Sequence, residues 1–223
     1  MGYFSNEGDV IDFANGGHSS LSGEGEDFLR GLAESVAHEG MIGMEVGSYT
    51  GWTASQVIPT FVKNGGKYHI LDWFRGSVDT QVGNWVWGNF PCQDTLIRTI
   101  KNIELQGWLE HVSISISTGD LMAPVIADGV LDYCYIGADH RYTGIKNDIE
   151  KWLPKIRKGG IICGHAFTGG PIDPESEQFK ALCEEPEGDF YHSAGCHFGV
   201  VRAVQELLPN YWRIGNGLWA SNV

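Results

Sequence analysis

The hydrophobic positions of this chain switch period repeatedly. Short apolar runs occupy 42–46, 67–72, 130–136 and 161–164, each with glycine before or after it. Runs of that length, rich in Ile, Val, Leu and Tyr, read as buried strands. The stretch Val-Ser-Ile-Ser-Ile-Ser at 112–117 alternates strictly, which predicts a strand with one polar face. Between these runs the apolar residues recur three and four apart. Phe28, Leu29, Leu32 and Val36 mark a helix over 26–38, stopped by Gly40. Further helices are predicted over 51–63, over 93–106 (Leu96, Ile97, Ile100, Ile103, Leu105), over 142–155 and, briefly, over 121–127. Lys158-Gly159-Gly160 reads as a turn. Residues 198–204 read as a further strand, and 211–214 with 218–220 as a closing hairpin around Gly215-Asn216-Gly217.

Strand and helix therefore alternate from 41 to 164, and strands pair near the end. That order predicts an α/β, doubly wound, mostly parallel sheet with an antiparallel C-terminal edge. Its ligand is expected beyond the carboxyl ends of the strands, beside strand 42–46. No repeat or linker divides residues 1–223, so one domain is expected. Three stretches fall outside the alternation. Residues 1–25, rich in Gly, Ser and acids, read as an arm that either frays or covers a ligand. Residues 73–91 put five aromatics among glycines and asparagines, which suits a cover loop or a homo-oligomer contact. Residues 168–193 read as an insertion with one helix near 175–184.

Composition narrows the function. Of 223 residues, 42% are hydrophobic and 19% charged, the balance of a globular chain. Acids outnumber bases 28 to 15, for a formal net charge of −13. A surface of that sign repels phosphate backbones and anionic membranes, which argues against nucleic acid and membrane partners. The longest apolar runs are too short to span a bilayer. The first residues lack the basic start and apolar core of a secretion signal, which predicts a cytoplasmic protein. The five cysteines form no C-x-x-C pair, so free thiols are expected. His192-x-x-x-Cys196-His197 lacks the second cysteine pair that a structural zinc site needs.

The chemistry should gather at Glu45-Val-Gly47-Ser48-Tyr49-Thr-Gly51. An acid ends a strand, a glycine turn follows, and a helix N-terminus presents unpaired N–H groups. The G-x-G-x-x-G spacing of dinucleotide binders is not met, and no Gly-Lys-Ser/Thr follows as in a phosphate loop. A carboxylate at that place suits a cationic or hydroxyl-rich ligand. Asp72, ending 67–72, lies one helix and one strand later. Asp139, His140 and Tyr142 follow strand 130–136, and His165 follows strand 161–164, so all project at the same mouth.

The pattern around Glu45–Gly51 resembles the first motif of class I S-adenosylmethionine-dependent methyltransferases, with Asp72 where they carry a ribose-binding acid. The stretch Ile136-Gly-Ala-Asp-His140-Arg-Tyr142, then Asp148, Trp152-Leu-Pro154, Gly159-Gly160 and Gly164-His165, is similar to the group that includes macrocin-type O-methyltransferases. Leu71-Asp72-Trp73-Phe74-Arg75-Gly76 and Gly199-Val-Val-Arg-Ala-Val204 match as well. The resemblance spans about 40–205 and implies a Rossmann-like methyltransferase fold, S-adenosylmethionine as cofactor and a small-molecule or sugar hydroxyl as acceptor. It implies that Glu45, Gly47, Ser48, Tyr49 and Gly51 hold the methionine part and Asp72 the ribose. Ser117, Gly119 and Asp120 would border the adenine, and Trp73 or Phe74 would stack on it. His140 would take the acceptor proton, with Asp139 or His165 orienting it; its other reading is a structural histidine that holds the turn.

Two departures stand out. That group draws metal-binding aspartates from the positions of Gly137 and Ala166, which carry no donor here. A hard cation needs convergent oxygens, so the expectation is no metal; the alternative is a site rebuilt from Asp139 and Asp120. The rival functions are an S-adenosylmethionine-binding protein with lost or redirected (lyase or cyclase) chemistry, and a nicotinamide oxidoreductase that lacks its glycine spacing.

Overall fold

The structure, a computed structural model, describes residues 23–75, 78–79, 84–85, 92–167, 173, 175–177, 181, 191–192, 196–214 and 217–223. In chain order the elements are α1 (Gly23–Ser35), β1 (Ile42–Val46), α2 (Trp52–Lys63), β2 (Lys67–Asp72), β3 (Val78–Asp79), β4 (Asn84–Trp85) and α3 (Cys92–Leu105). Then come β5 (Val112–Ile116), α4 (Gly119–Met122), β6 (Leu131–Ile136), α5 (Tyr142–Trp152), β7 (Ile156–Gly164), β8 (Tyr191–His192), β9 (Cys196–His197), α6 (Phe198–Leu207), β10 (Trp212–Ile214) and β11 (Leu218–Asn222).

Seven strands form one sheet in the order β10-β11-β7-β6-β1-β2-β5. The pairs β5/β2, β2/β1, β1/β6 and β6/β7 are parallel; β11 lies antiparallel to both β7 and β10. The chain reverses its direction of winding between β1 and β6, whose carboxyl ends therefore open a crevice. This is the α/β, mostly parallel sheet with an antiparallel edge that the alternation predicts.

Alternate residues of the central strands feed two buried layers. Met44, Val46, Cys134 and Ile136 pack with Ile149 and Trp152 of α5 and Val200 and Val204 of α6. Tyr68, Ile70, Tyr133 and Tyr135 pack with Leu29 of α1 and Phe61 of α2. Phe61 meets Tyr68 edge-on at 4.9 Å between ring centroids, a geometry that favours aromatic pairs. At the amino ends of the strands, buried Asp132 accepts the N–H of Ile42 at 2.6 Å, His38 Nε2 at 2.7 Å and the Arg157 guanidinium. That end carries stability and lies opposite the crevice.

One predicted strand is wrong. Residues 198–204 belong to helix α6, which packs against α5. Val200 and Val201 give them a β-like look, and within 198–204 only Arg202 is polar; the helix's polar stripe of Arg202, Gln205 and Glu206 runs past the end of that apolar run. Lys158-Gly159-Gly160 is a bulge inside β7 rather than a turn before it, with Gly159 at φ 79°. The short helix expected at 121–127 starts earlier, at Gly119, and continues as a tight turn over Ala123–Val125. Most of the arm 1–25, of the loop 73–91 and of the insertion 168–193 lies outside the described residues.

Candidate active site

The turn after β1 is fixed by backbone contacts on both sides. Gly47 donates to the Leu71 carbonyl at 2.8 Å, and Gly137 donates to that of Val46 at 2.8 Å. Gly47 stands at φ 85°, and a Cβ on it would lie 2.4 Å from Ala138 Cα. Only glycine fits so close to another strand's end. Asp72 then closes the turn from β2. Its Oδ2 accepts the N–H groups of Ser48 and Tyr49 at 2.8 Å each, and its Oδ1 that of Phe74 at 2.7 Å. Tyr49 and Phe74 both sit in the left-handed region, at φ 54° and 51°. Left-handed non-glycine residues cost free energy and gather at functional sites. Ser48 Oγ is buried and has no hydrogen-bond partner among the described residues.

Glu45 lies below this turn. It is 1% exposed, and its Oε2 accepts the Tyr68 hydroxyl at 3.4 Å. Burial, then the nearby Asp72 charge, pushes its carboxyl well above the usual range. Ser117 reaches the Asp72 carbonyl with its N–H at 3.2 Å. Gly119 and Asp120 face α5 instead: a Cβ on Gly119 would lie 2.9 Å from Asp148 Oδ1, and Asp120 is bound by Lys151 and by Asn147 at 2.7 Å. The Lys151 bond, then that of Asn147, holds the Asp120 carboxyl below its ordinary value. Trp73 is 36% exposed beside the Asp72 end.

The second half of the site is a group of histidines. His140, after β6, meets His165, after β7, edge-on with ring centroids 4.5 Å apart. His197, the last residue of β9, approaches His140 at 5.0 Å. Burial first, and the neighbouring imidazoles second, hold His140 well below its ordinary pKa and His165 at about 4; burial lowers His197 too. All three rings are neutral near pH 7. His140 Nε2 is buried without a partner among the described residues. Asp139 does not join them. Its two oxygens are forked by Arg141, from the backbone N at 2.9 Å, Nε at 3.0–3.1 Å and Nη2 at 2.8 Å.

Residues 44–167 match a family model described as a methyltransferase domain. The chain belongs to this methyltransferase family. No curated protein matches the sequence. Among solved structures, the fold is similar to a Corynebacterium glutamicum protein (TM-score 0.64, 11% identity, 99% of this chain and 91% of that chain). It is also similar to TomG, an O-methyltransferase of Streptomyces achromogenes involved in tomaymycin synthesis and solved with SAM (TM-score 0.61, 11% identity, 99% and 91%). An O-methyltransferase of Bacillus cereus solved with SAH shares the fold at 14% identity, TM-score 0.59, over 99% and 93%. At these identities the likeness is one of fold.

In the methyltransferase, the crevice side fits a cofactor: a glycine turn with no room for a side chain, an orphaned Ser48 hydroxyl, and an acid one turn away. The donors do not fit a hard divalent cation. Gly137 and Ala166 bring no oxygen, and Asp139 and Asp120 are each held by cationic side chains. Convergent free carboxylates, which such a cation requires, are not what these positions supply. Two residues here give no local sign in the sequence: His197 belongs to a pattern that suggests only zinc, and Tyr135 is hidden in an apolar strand run. The spacing of either gives no sign that it reaches His140 or His165.

Proposed function

We propose that this S-adenosylmethionine-dependent methyltransferase moves the methyl group onto a hydroxyl oxygen of a small or sugar-like molecule, with His140 as the base. The observation that carries the reading is a pair of buried polar atoms without a partner among the described residues, one on each side of the crevice between β1 and β6. Ser48 Oγ lies in the turn after β1, and His140 Nε2 lies in the loop after β6. Ser48, Tyr49 and Gly51 would line the methionine part, with Gly47 leaving the room, and Asp72 would meet the ribose with the lone pair that its three backbone bonds leave. Glu45, buried under Tyr68, supports the turn from beneath. Ser117, Gly119 and Trp73 would border the base of the cofactor.

When bound, the cofactor supplies a methyl group on a cationic sulfur whose charge disappears on transfer to oxygen. Burial disfavours protonated His140 on its own. Gaining the acceptor proton as another positive charge is lost leaves the charge of the site unchanged, so a neutral buried imidazole suffices as base. His165 and His197 hold that ring in place, which keeps the acceptor oxygen and the base in one geometry. The acid-rich surface supports a small acceptor rather than nucleic acid. Among the described residues no helix is long and apolar enough to cross a membrane, and we place the enzyme in the cytoplasm.

The test is incubation with S-adenosylmethionine and a panel of phenols, enols and sugars, followed by mass spectrometry. S-adenosylhomocysteine together with a methylated acceptor is expected. Methylthioadenosine as the product would overturn the reading in favour of redirected chemistry on the same cofactor.

A further inference from the structure

Tyr135 is a β6 residue in the layer under α2, yet its hydroxyl reaches the mouth of the site, 2.9 Å from His165 Nδ1. The two rings lie parallel, 4° apart in tilt, with centroids 5.9 Å apart. His165 is held at its other end as well. Its carbonyl accepts Trp219 Nε1–H at 3.1 Å, and the next residue, Ala166, is buried and left-handed at φ 63°. A side chain fixed by its ring, by its carbonyl and by a strained neighbour is over-determined, the usual mark of a group whose orientation matters.

Gly137 makes room for this pair. A Cβ there would lie 2.8 Å from Tyr135 Cε1, 3.1 Å from the Gly47 carbonyl and 3.4 Å from His165 Cε1. The space of a side chain at 137 is thus taken by the Tyr135–His165 pair, and an aspartate at 137 would have to push Tyr135 aside.

We propose that Tyr135 is a positioning residue for methyl transfer: through its hydroxyl it fixes the tautomer and tilt of His165, the ring against which His140 stands edge-on. The inference rests on the reading of His140 as the base. Burial first, then the Glu45 charge, raises the Tyr135 phenol well above its ordinary value, so it keeps its proton, while burial holds His165 neutral with a lone pair to accept it. The phenol proton then goes to His165 Nδ1, which leaves the imidazole proton on Nε2. His165 then carries its donor on the ring that stands edge-on to His140, whose Nε2 has no partner among the described residues.

Among the described residues, the titratable groups that face His140 are His165 beyond β7 and His197 in β9, with Asp139 and Arg141 flanking it in its own loop and already paired to each other. Of these, His165 bonds Tyr135, so loss of the phenol reaches His140 through it.

The experiment is long-range proton–nitrogen NMR of ¹⁵N-histidine-labelled full-length protein, parent and Tyr135→Phe, each with and without S-adenosylhomocysteine. The parent is expected to show His165 as one tautomer with the proton on Nε2. A proton on Nδ1 in the parent overturns the proposal without any variant. Tyr135→Phe keeps the ring and should bind S-adenosylhomocysteine within about twofold of the parent. Its His165 should lose the single tautomer, and the titration midpoint of His140 should move by about half a unit or more. An unchanged His165 tautomer or an unmoved His140 midpoint in the variant would overturn it. If Tyr135→Phe does not fold, the parent spectrum decides alone: a His165 proton on Nε2 supports the proposal and one on Nδ1 overturns it. Failure of the parent to bind S-adenosylhomocysteine would instead sink the proposed function and leave the tautomer result standing.

Discussion

Asp72 holds the Ser48 backbone: one carboxylate oxygen accepts the Ser48 N–H at 2.8 Å and shares itself with Tyr49. The acid at the end of β2 therefore shapes the glycine turn, and in the proposed function it also meets the ribose. Ionised carboxylate oxygens offer about four acceptor positions, and three are used by backbone groups. Asp72→Ala should weaken S-adenosylhomocysteine binding roughly ten- to a hundredfold, since bonds to a charged partner are worth about 1.5–3 kcal/mol. Isothermal titration calorimetry measures it. Binding as tight as the parent's would remove both the ribose placement and the turn-shaping role.

The fork between Arg141 and Asp139 leads to a prediction about metals. With Asp139 committed to that fork and no donor at 137 or 166, turnover should be the same in EDTA as in added Mg²⁺. The rate of S-adenosylhomocysteine release with a turned-over acceptor is the measure. Loss of rate in EDTA with recovery in Mg²⁺ would show that a site forms in another register.

The two ends of the sheet should respond differently to mutation. Asp132→Ala leaves the Ile42 N–H, His38 and Arg157 without their shared acceptor at the amino ends of the strands. His38 and Arg157 are partly exposed and can return to water, which limits the cost to about 2 kcal/mol. For a chain of this size that lowers Tm by roughly 4–8 °C, while cofactor affinity should stay put. His140→Ala should do the reverse, slowing turnover by about a hundredfold or more with affinity nearly unchanged. Both variants weakening cofactor binding alike would mean that the ends of the sheet are not independent.

What the sequence shows and what it hides follow from range. Glu45, Gly47, Gly51 and Asp72 are legible because a strand end, a turn and a helix start are local events that leave local residue types. The parallel direction of the central strands follows from the alternation, since parallel strands need helical crossovers. Helix α6 is hidden because its polar stripe of Arg202, Gln205 and Glu206 lies mostly beyond the apolar run 198–204; Arg202 and Glu206, paired four residues apart at 2.9 Å, carry its helical sign. Tyr135 and His197 are hidden for another reason. Nothing near Tyr135 in sequence says that Gly137 leaves its ring a path to His165, and the meeting of 140, 165 and 197 exists only once β6, β7 and α6 are in place.

The histidine group sets an acid limit. His140 and His165 are depressed by burial, the latter to about 4, whereas an unfolded histidine titrates near 6.5. Between those values the unfolded chain binds more protons than the folded one, so stability rises with pH there. The contribution is complete above pH 6.5 and is lost as pH falls through about 4. The same depression keeps His140 in its base form, so the acid limb of kcat/KM should lie below pH 6.5. Thermal unfolding and rate profiles from pH 4 to 8 test both. An acid limb centred at or above 6.5 would mean that the base is an exposed group.

Asp148 carries the opposite sign. It lies in α5, 7% exposed, beside the empty side-chain space of Gly119. Burial first, then the charges of Asp139 and Asp120, raises its carboxyl from 3.8 to about 7, against a smaller pull from Lys151. Between those values the folded protein holds a proton that the unfolded chain has lost, so this residue costs stability progressively as pH rises through about 7. The shift is about three pH units, a ceiling of about 4 kcal/mol. Asp148→Asn matches the neutral acid in shape and cannot ionise. It should therefore raise Tm at pH 8 by several degrees and leave it nearly unchanged at pH 4. Calorimetric melts of parent and variant at both pH values decide the matter. If the variant were no more stable at pH 8 than at pH 4 relative to the parent, Asp148 would have to be ionised and solvated in the folded protein, and its placement beneath Gly119 would be wrong.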